Sequence, residues 1–383
     1  MASKNNNGYI TGDVIIEILS RLSGKSLMRL KCVCKYWSTL IRNSSFISRH
    51  FHHHSNTGQL FVQHYDQSTE KYTFALFPNG TLANSRDDYY NLGDLQMPTD
   101  PGFLGILNGI IGLCVWNHIV LWNPAIREIR FVPIPEPDIP FFTDLQRSFS
   151  GFGLDPTTNN YKVVRVWAYG EHNDELDLNW LVAVYNLYAD SWRTFEVDLP
   201  ITSEERYGLS NTCMDGFYHW MTYFSDRITI FTFDMDKEVF GDIAGPPITI
   251  YYCGDIFLHN NSVSLIHLEH WDAGEKFFDI WVMKEKGFWS KELTIGPLLD
   301  VWDRPLGLWK NGEVIFLQNK TSDLVLYNYN TQEIKVFDQI RGYYGLKSAI
   351  YKENLVSIKR GNEHEEGNNA FDLTRIQDVP YCW

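Results

Sequence analysis

HIVLWNPAIREIR, residues 118–130, reads as an apolar strand, a turn at Asn123-Pro124 and a returning strand. Asn and Pro supply turn chemistry, and the runs on either side carry the apolar and β-branched residues of a half-buried sheet, so the segment predicts a hairpin. Working outward from it, the same phrase returns as VAVYNLYADSWR (182–193), ITIFTFDMDKEV (228–239), FDIWVMK (278–284) and LVLYNYNTQEIK (324–335), with a weaker copy, YTFALFPNGTL, at 72–82. A hairpin cannot bury its own apolar face, so a series of them must pack on one another.

The copies start roughly 46–50 residues apart, a period close to that of kelch-type propeller blades. One interval is wider, about 64 residues, and holds GFGLDPTTNNYKVVRV (151–166), itself strand, turn and strand. Dividing about 300 residues by about 48 predicts a β-propeller-like domain of about six blades, with Asn354–Lys359 as a strand that helps to close the ring. Each blade buries a face on the next, so Trp116, Trp122, Trp192, Trp281, Trp289 and Trp309 are expected in the packing between blades.

A different pattern precedes this body. ITGDVIIEILSRLSGKSLMRLKCVCKYWSTLIR, residues 10–42, reads as three short helices. Ile15, Ile18, Leu19 and Leu22 form one apolar stripe behind an N-cap at Asp13. Gly24 interrupts it; Leu27, Leu30 and Val33 begin a second stripe, and Trp37, Leu40 and Ile41 a third. A piece this small cannot bury three stripes within itself, so the surplus must face another domain or another protein. The fold class is therefore mainly β with a small N-terminal α module at 9–54, a body at 58–360 and a disordered tail at 361–383.

The net charge of −14 is unevenly spread: residues 1–56 carry eight Lys and Arg against two acids, the remainder 25 against 45. An acidic body repels nucleic acid and anionic membranes and favours basic proteins. No run approaches the roughly 18–20 apolar residues of a membrane span, and the first residues have no apolar core of a leader, so the chain is expected to be soluble, in the cytoplasm or nucleus. Six cysteines without a tight framework agree with a reducing compartment. Cys32 and Cys34, one residue apart on a helix, are expected to be buried structural thiols.

Residues 10–42 resemble the F-box, the Skp-binding module of cullin–RING ubiquitin ligases, through Asp13, Ile18-Leu19, Leu22, Lys25-Ser26-Leu27, Arg29, Cys32-Val33, Lys35, Trp37 and Leu40-Ile41. The chain departs from the family at Ile10-Thr11, where Leu-Pro is usual, and at Ser23, where a second proline is usual. The body is similar to the F-box-associated domain of plant F-box proteins through NGIIGL (108–113), LWNPAIRE (121–128), GFGLDP (151–156), YKVV (161–164), SWR (191–193), FDMDKE (233–238) and LGLWKNGE (306–313). Within that family it looks most like the S-locus F-box proteins of pollen, through KSLMR (25–29), SNT (55–57) and YKENLVSIKRGNEH (351–364). The resemblance implies a non-catalytic, substrate-recognition subunit of a Skp–cullin–F-box ligase. A Skp-type adaptor, and through it cullin and the RING subunit, would meet Ile10, Ile15, Ile18, Leu19, Leu22, Leu27, Leu30, Val33 and Trp37. The alternatives are the same architecture with another target, or a propeller binding module outside any ligase.

Motifs for chemistry are missing: there is no P-loop, no G-x-S-x-G, no H-E-x-x-H and no metal spacing of Cys and His, so no cofactor, metal or catalytic residue is expected. His50, His52, His53 and His54 read as a polar linker. Asp155, Asp190, Asp234 and Asp236 fall at hairpin turns, where Asp holds its own backbone. Loops at a propeller rim are the default binding site; the candidates are Glu136–Asp144, rich in proline, and EHNDELD (171–177). The acids Glu171, Asp174, Glu175 and Asp177 would attract a basic target, such as the S-RNases that S-locus relatives recognise.

Overall fold

The computed structural model describes residues 11–359 apart from 55–57, 78–89, 92–94, 96, 98, 142, 172–177, 200–205, 224–226, 249–254, 273, 302–304, 310–311, 319–320 and 342–345. Its strands form six four-stranded antiparallel sheets. The blade containing HIVLWNPAIREIR is Gly102–Leu107, Ile110–Val115, His118–Asn123 and Glu128–Pro133, paired in sequence order. The next four follow the same plan and end at Glu196, Ala244, Leu299 and Arg341. The turn between third and fourth strands shows why the phrase recurs. Asn123, Asn186, Asp234 and Asn328 each accept a backbone N–H two or three residues on, at 2.8–3.2 Å. The turn's last residue, Arg127, Asp190, Glu238 or Gln332, then takes positive φ, which reverses the chain into the return strand.

The wide interval is extra strand rather than an extra blade: Thr143–Asp155 and Asn160–Glu171 are 13 and 12 residues long. Ring closure differs from the expectation. Lys347–Tyr351 closes it, as the first strand of the blade formed by Gln59–Asp66, Lys71–Phe77 and Tyr90–Asn91, pairing antiparallel with Gln59–Gln63. Asn354–Lys359 forms no strand. Its apolar residues are spent elsewhere, on contacts described below.

Each seam between blades holds one apolar cluster, and six clusters account for six seams. Trp122 and Trp309 are buried in them, whereas Trp116, Trp192 and Trp289 are half-buried at their margins; Trp281 is half-buried but belongs to none of the clusters. Fully burying one such side chain is worth about 1.5–3 kcal/mol, so every blade is held chiefly by its two neighbours.

Four helices precede the ring among the described residues: α1 Gly12–Leu19, α2 Gly24–Leu30, α3 Lys35–Ile41 and α4 Ser44–His54. The fourth takes in the histidine run expected as a polar linker, and buries His50. Alternating strand direction gives the ring two faces. The turns at 124–127, 187–190 and 235–238, and the end of the closing strand, share the lower face; residues 134–141 and the strand ends Thr143 and Glu171 share the upper one.

Candidate functional site

The helices pack around Leu19, Leu27, Ile41 and Phe46. Of the residues expected to meet an adaptor, Ile18 and Val33 are 52% and 64% exposed, and Ile15, Leu22, Leu30 and Trp37 are half-buried. Leu19 and Leu27 are 4% and 0% exposed, so in this chain they build the core beneath that face; Ile10 lies outside the described residues. Val14 and Tyr36, which the stripe pattern did not select, are about as open as Ile18 at 48% and 56%. Cys32 and Cys34 correct an expectation: both are exposed free thiols, because residues 31–34 form the connection between α2 and α3 instead of a helix. Thr11 and Ser23 precede α1 and α2 with φ of −66° and −63° and ψ of 151°. Those φ values are the ones a proline ring fixes, so the backbone shape is kept without the ring.

The module sits on the lower face. Ile126, at the tip of the NPAIR turn, and Leu355 complete its apolar core. The chain leaves the closing strand at Tyr351 and runs across the second blade as a strap. Asn123 donates through Nδ2 to the carbonyls of Asn354 and Val356 at 3.1 and 2.8 Å. Glu128 accepts from the Ser357 hydroxyl at 2.8 Å and the Ile358 N–H at 2.9 Å, and Arg130 donates to the Ile358 carbonyl at 3.0 Å. Thus LWNPAIRE uses Asn123 and Glu128 to hold the strap while the turn between them touches the helices. Gly24 fits because a Cβ there would lie 3.0–3.1 Å from Ala125 and Glu353; its N–H donates to the Glu353 carboxylate.

His50 is buried in the same seam, 3.0 Å from the Leu22 carbonyl and 3.5 Å from Glu353, with its ring 4.3 Å from that of His54. Burial and the neighbouring His54 push its imidazole down to about 4, against the hydrogen bond to Leu22. Burial acts oppositely on Glu353, raising its carboxyl against the Gly24 hydrogen bond. A His depressed in the fold favours the neutral ring, so its contribution is full above the ordinary value of 6.5 and is lost as pH falls towards about 4. Glu353 offsets part of that loss by taking up a proton in the folded state. His50→Gln, which keeps a donor for Leu22, should therefore lose stability less steeply than the parent between pH 6.5 and 4, and in parallel with it above 6.5. Urea denaturation across that range checks this; parallel curves throughout would remove His50 from the account.

On the upper face, where the first candidate loop enters its strand, Thr143 pairs with Glu171 and Asp144 with Gly170 at the ends of adjoining strands. Ile134 and Ile139 anchor the first loop on Trp167, Tyr169 and Leu181, leaving Phe141 fully exposed at its tip. Glu70, Glu136, Asp138, Asp144, Glu171 and Asp198 are exposed on this face, beside the exposed bases Lys71 and Arg227. Asp174, Glu175 and Asp177 lie outside the described residues. Among the described residues no three metal-ligating side chains converge.

Residues 108–358 match the family model described as the F-box associated beta propeller domain, and residues 12–49 match the F-box domain. The chain belongs to the F-box associated beta propeller family. It is 25% identical to the F-box/kelch-repeat protein At4g19930 of Arabidopsis thaliana, over 97% of this chain and 90% of that one. With F-box/kelch-repeat protein At3g23880 of the same plant it shares 27% identity over 90% and 94%. The match to F-box protein At3g08750, also of Arabidopsis thaliana, is 28% identical and spans 62% of this chain and 60% of the relative. The family match ends at 358, on the last buried residue of the strap, so the strap belongs to the propeller domain. Sequence reading missed Ile126, Glu353 and Leu355 as contacts of the F-box. One signal was available: an isoleucine at a turn tip, where a polar residue is the rule.

Proposed function

We propose that the protein is the substrate-recognition subunit of a Skp–cullin–F-box ubiquitin ligase, itself non-catalytic, which holds a target protein near a ubiquitin-loaded conjugating enzyme. The supporting observation is the two-faced layout. An F-box with open apolar residues sits on one face of the propeller, and the anchored residues 134–141, with exposed acids around them, occupy the other. Tethering of this kind accelerates transfer by raising effective concentration, with no active site of its own.

The adaptor half is tested on exposed residues, so that the fold is spared. Ile18→Asp combined with Val33→Asp should weaken binding of a Skp-type adaptor by about 100-fold, as loss of desolvated anchors does at other interfaces, with unchanged thermal unfolding. Undiminished co-purification would sink the assignment. For the target half, the acidic upper face supports a basic protein, and the resemblance of residues 25–29 and 351–364 to S-locus proteins supports an S-RNase in pollen self-incompatibility. Affinity capture with the proteasome blocked, comparing the parent with Glu136→Lys, Asp138→Lys and Asp144→Lys together, tests both. A target retained equally by the charge-reversed variant would rule out this face.

A further inference from the structure

We propose that the Asn123–Arg130 hairpin and the Glu353–Ile358 strap are positioning elements for the adaptor-binding surface, so that the F-box reaches its adaptor-competent form only on a closed propeller. This rests on the reading of the F-box as an adaptor-binding module. The helices have eight, seven, seven and eleven residues, too short to persist in water without tertiary support. The buried centre of that support is Leu19, Leu27, Ile41 and Phe46, with Ile126 and Leu355 as its other buried members, and half-buried helix residues such as Leu22 and Trp37 pack around it. Two of the six therefore come from the propeller.

Both are placed by ring closure. Leu355 follows the closing strand Lys347–Tyr351 by four residues, and its path is set by Asn123, Glu128 and Arg130. The strand that receives the closing strand begins at Gln59, five residues after α4 ends at His54. Hence one pairing, Gln59–Gln63 with Lys347–Tyr351, fixes both the root of the F-box and the strap that completes it. Gly109 records how close the strap lies: a Cβ there would sit 2.6 Å from the Lys352 carbonyl oxygen. A chain whose propeller is unfinished or damaged would then present no ordered adaptor surface, and would not occupy the ligase with a subunit unable to hold a target.

The test uses the full chain with Leu355→Asp, Leu355→Met and the pair Asn123→Ala with Glu128→Ala. Three readouts are taken: affinity for a purified Skp-type adaptor, near-ultraviolet circular dichroism of the propeller aromatics, and amide exchange of α1–α3 without adaptor. Leu355→Asp should weaken adaptor binding roughly tenfold or more, as burying an unpaired charge does, with faster exchange in α1–α3 and an unchanged aromatic spectrum. Leu355→Met should restore both. If Leu355→Asp also loses the aromatic spectrum, the Asn123→Ala, Glu128→Ala pair decides, since it frees the strap without burying a charge. Parent-like adaptor affinity and exchange in that pair would overturn the proposal. Should the parent bind no adaptor, the functional reading fails alone, and exchange in α1–α3 still reports whether the strap orders the F-box.

Discussion

Lys162→Ala should destabilise the propeller by about 3–5 kcal/mol, the usual cost of removing one partner from a buried ion pair. The Lys162 side chain is 7% exposed and lies 3.0 Å from both Asp155 and Glu238. It also donates to the Met235 carbonyl at 2.6 Å, so it ties the third blade to the turn of the fourth. Burial pushes the Asp155 carboxyl up. Hydrogen bonds from Thr158, Lys162 and Thr157 outweigh burial and hold it down at about 2. A carboxyl depressed in the fold contributes fully above its ordinary value of 3.8 and loses that contribution as pH falls through about 2. The deficit of the variant, measured by urea denaturation, should therefore be full at pH 7 and shrink in acid below 3.8. A deficit under about 1 kcal/mol at pH 7 would mean that water, not Lys162, satisfies the two carboxylates.

Gly109→Val should cost about 3–4 kcal/mol, among the largest effects open to a substitution at a turn. Gly109 has φ +74°, and a Cβ there would lie 2.6, 2.8 and 2.9 Å from Lys352 O, Asn354 Cβ and Asn354 N. About 1–2 kcal/mol is the left-handed backbone itself; the rest is displacement of a backbone that Asn123 and Glu128 hold from the other side. Gly105 separates the two contributions. It has φ +113° with nothing within 4 Å of the added carbon, so Gly105→Ala carries backbone strain alone. Thermal unfolding of both variants, with amide exchange at Gly24 as the local reporter, measures the strap's share. Equal losses at the two positions would show that the strap yields freely.

Much of the ring was legible because a hairpin carries its own signal. Asn123, Asn186, Asp234 and Asn328 mark the turns, and the apolar runs before them mark strands that bury both faces. Tyr161-Lys162 and Asp155 were readable as strand and turn, but their ion pair was not, because Glu238 lies on another blade. Asn354–Lys359 carries the apolar Leu355, Val356 and Ile358 of a strand-like run, yet such a pattern states only that a face is covered. It does not say by what, and here the cover is the F-box on one side and a blade seam on the other. The same limit explains Leu19 and Leu27: each apolar stripe contains both the inner and the outer rows of a thin helical layer. Cys32 and Cys34 were misplaced for a more local reason, the break in helix at residues 31–34.

The strap also bears on how such proteins diversify. An F-box held only by a linker could be exchanged between relatives at will. Here Gly24 and Leu27 are fitted to Ala125, Ile126, Glu353 and Leu355, so a chimera cut after His54 inherits a mismatched joint unless the hairpin and strap travel with it. The described residues 134–141 share none of these contacts. Recombination and drift are free to reshape the upper face while the lower one is inherited as a set.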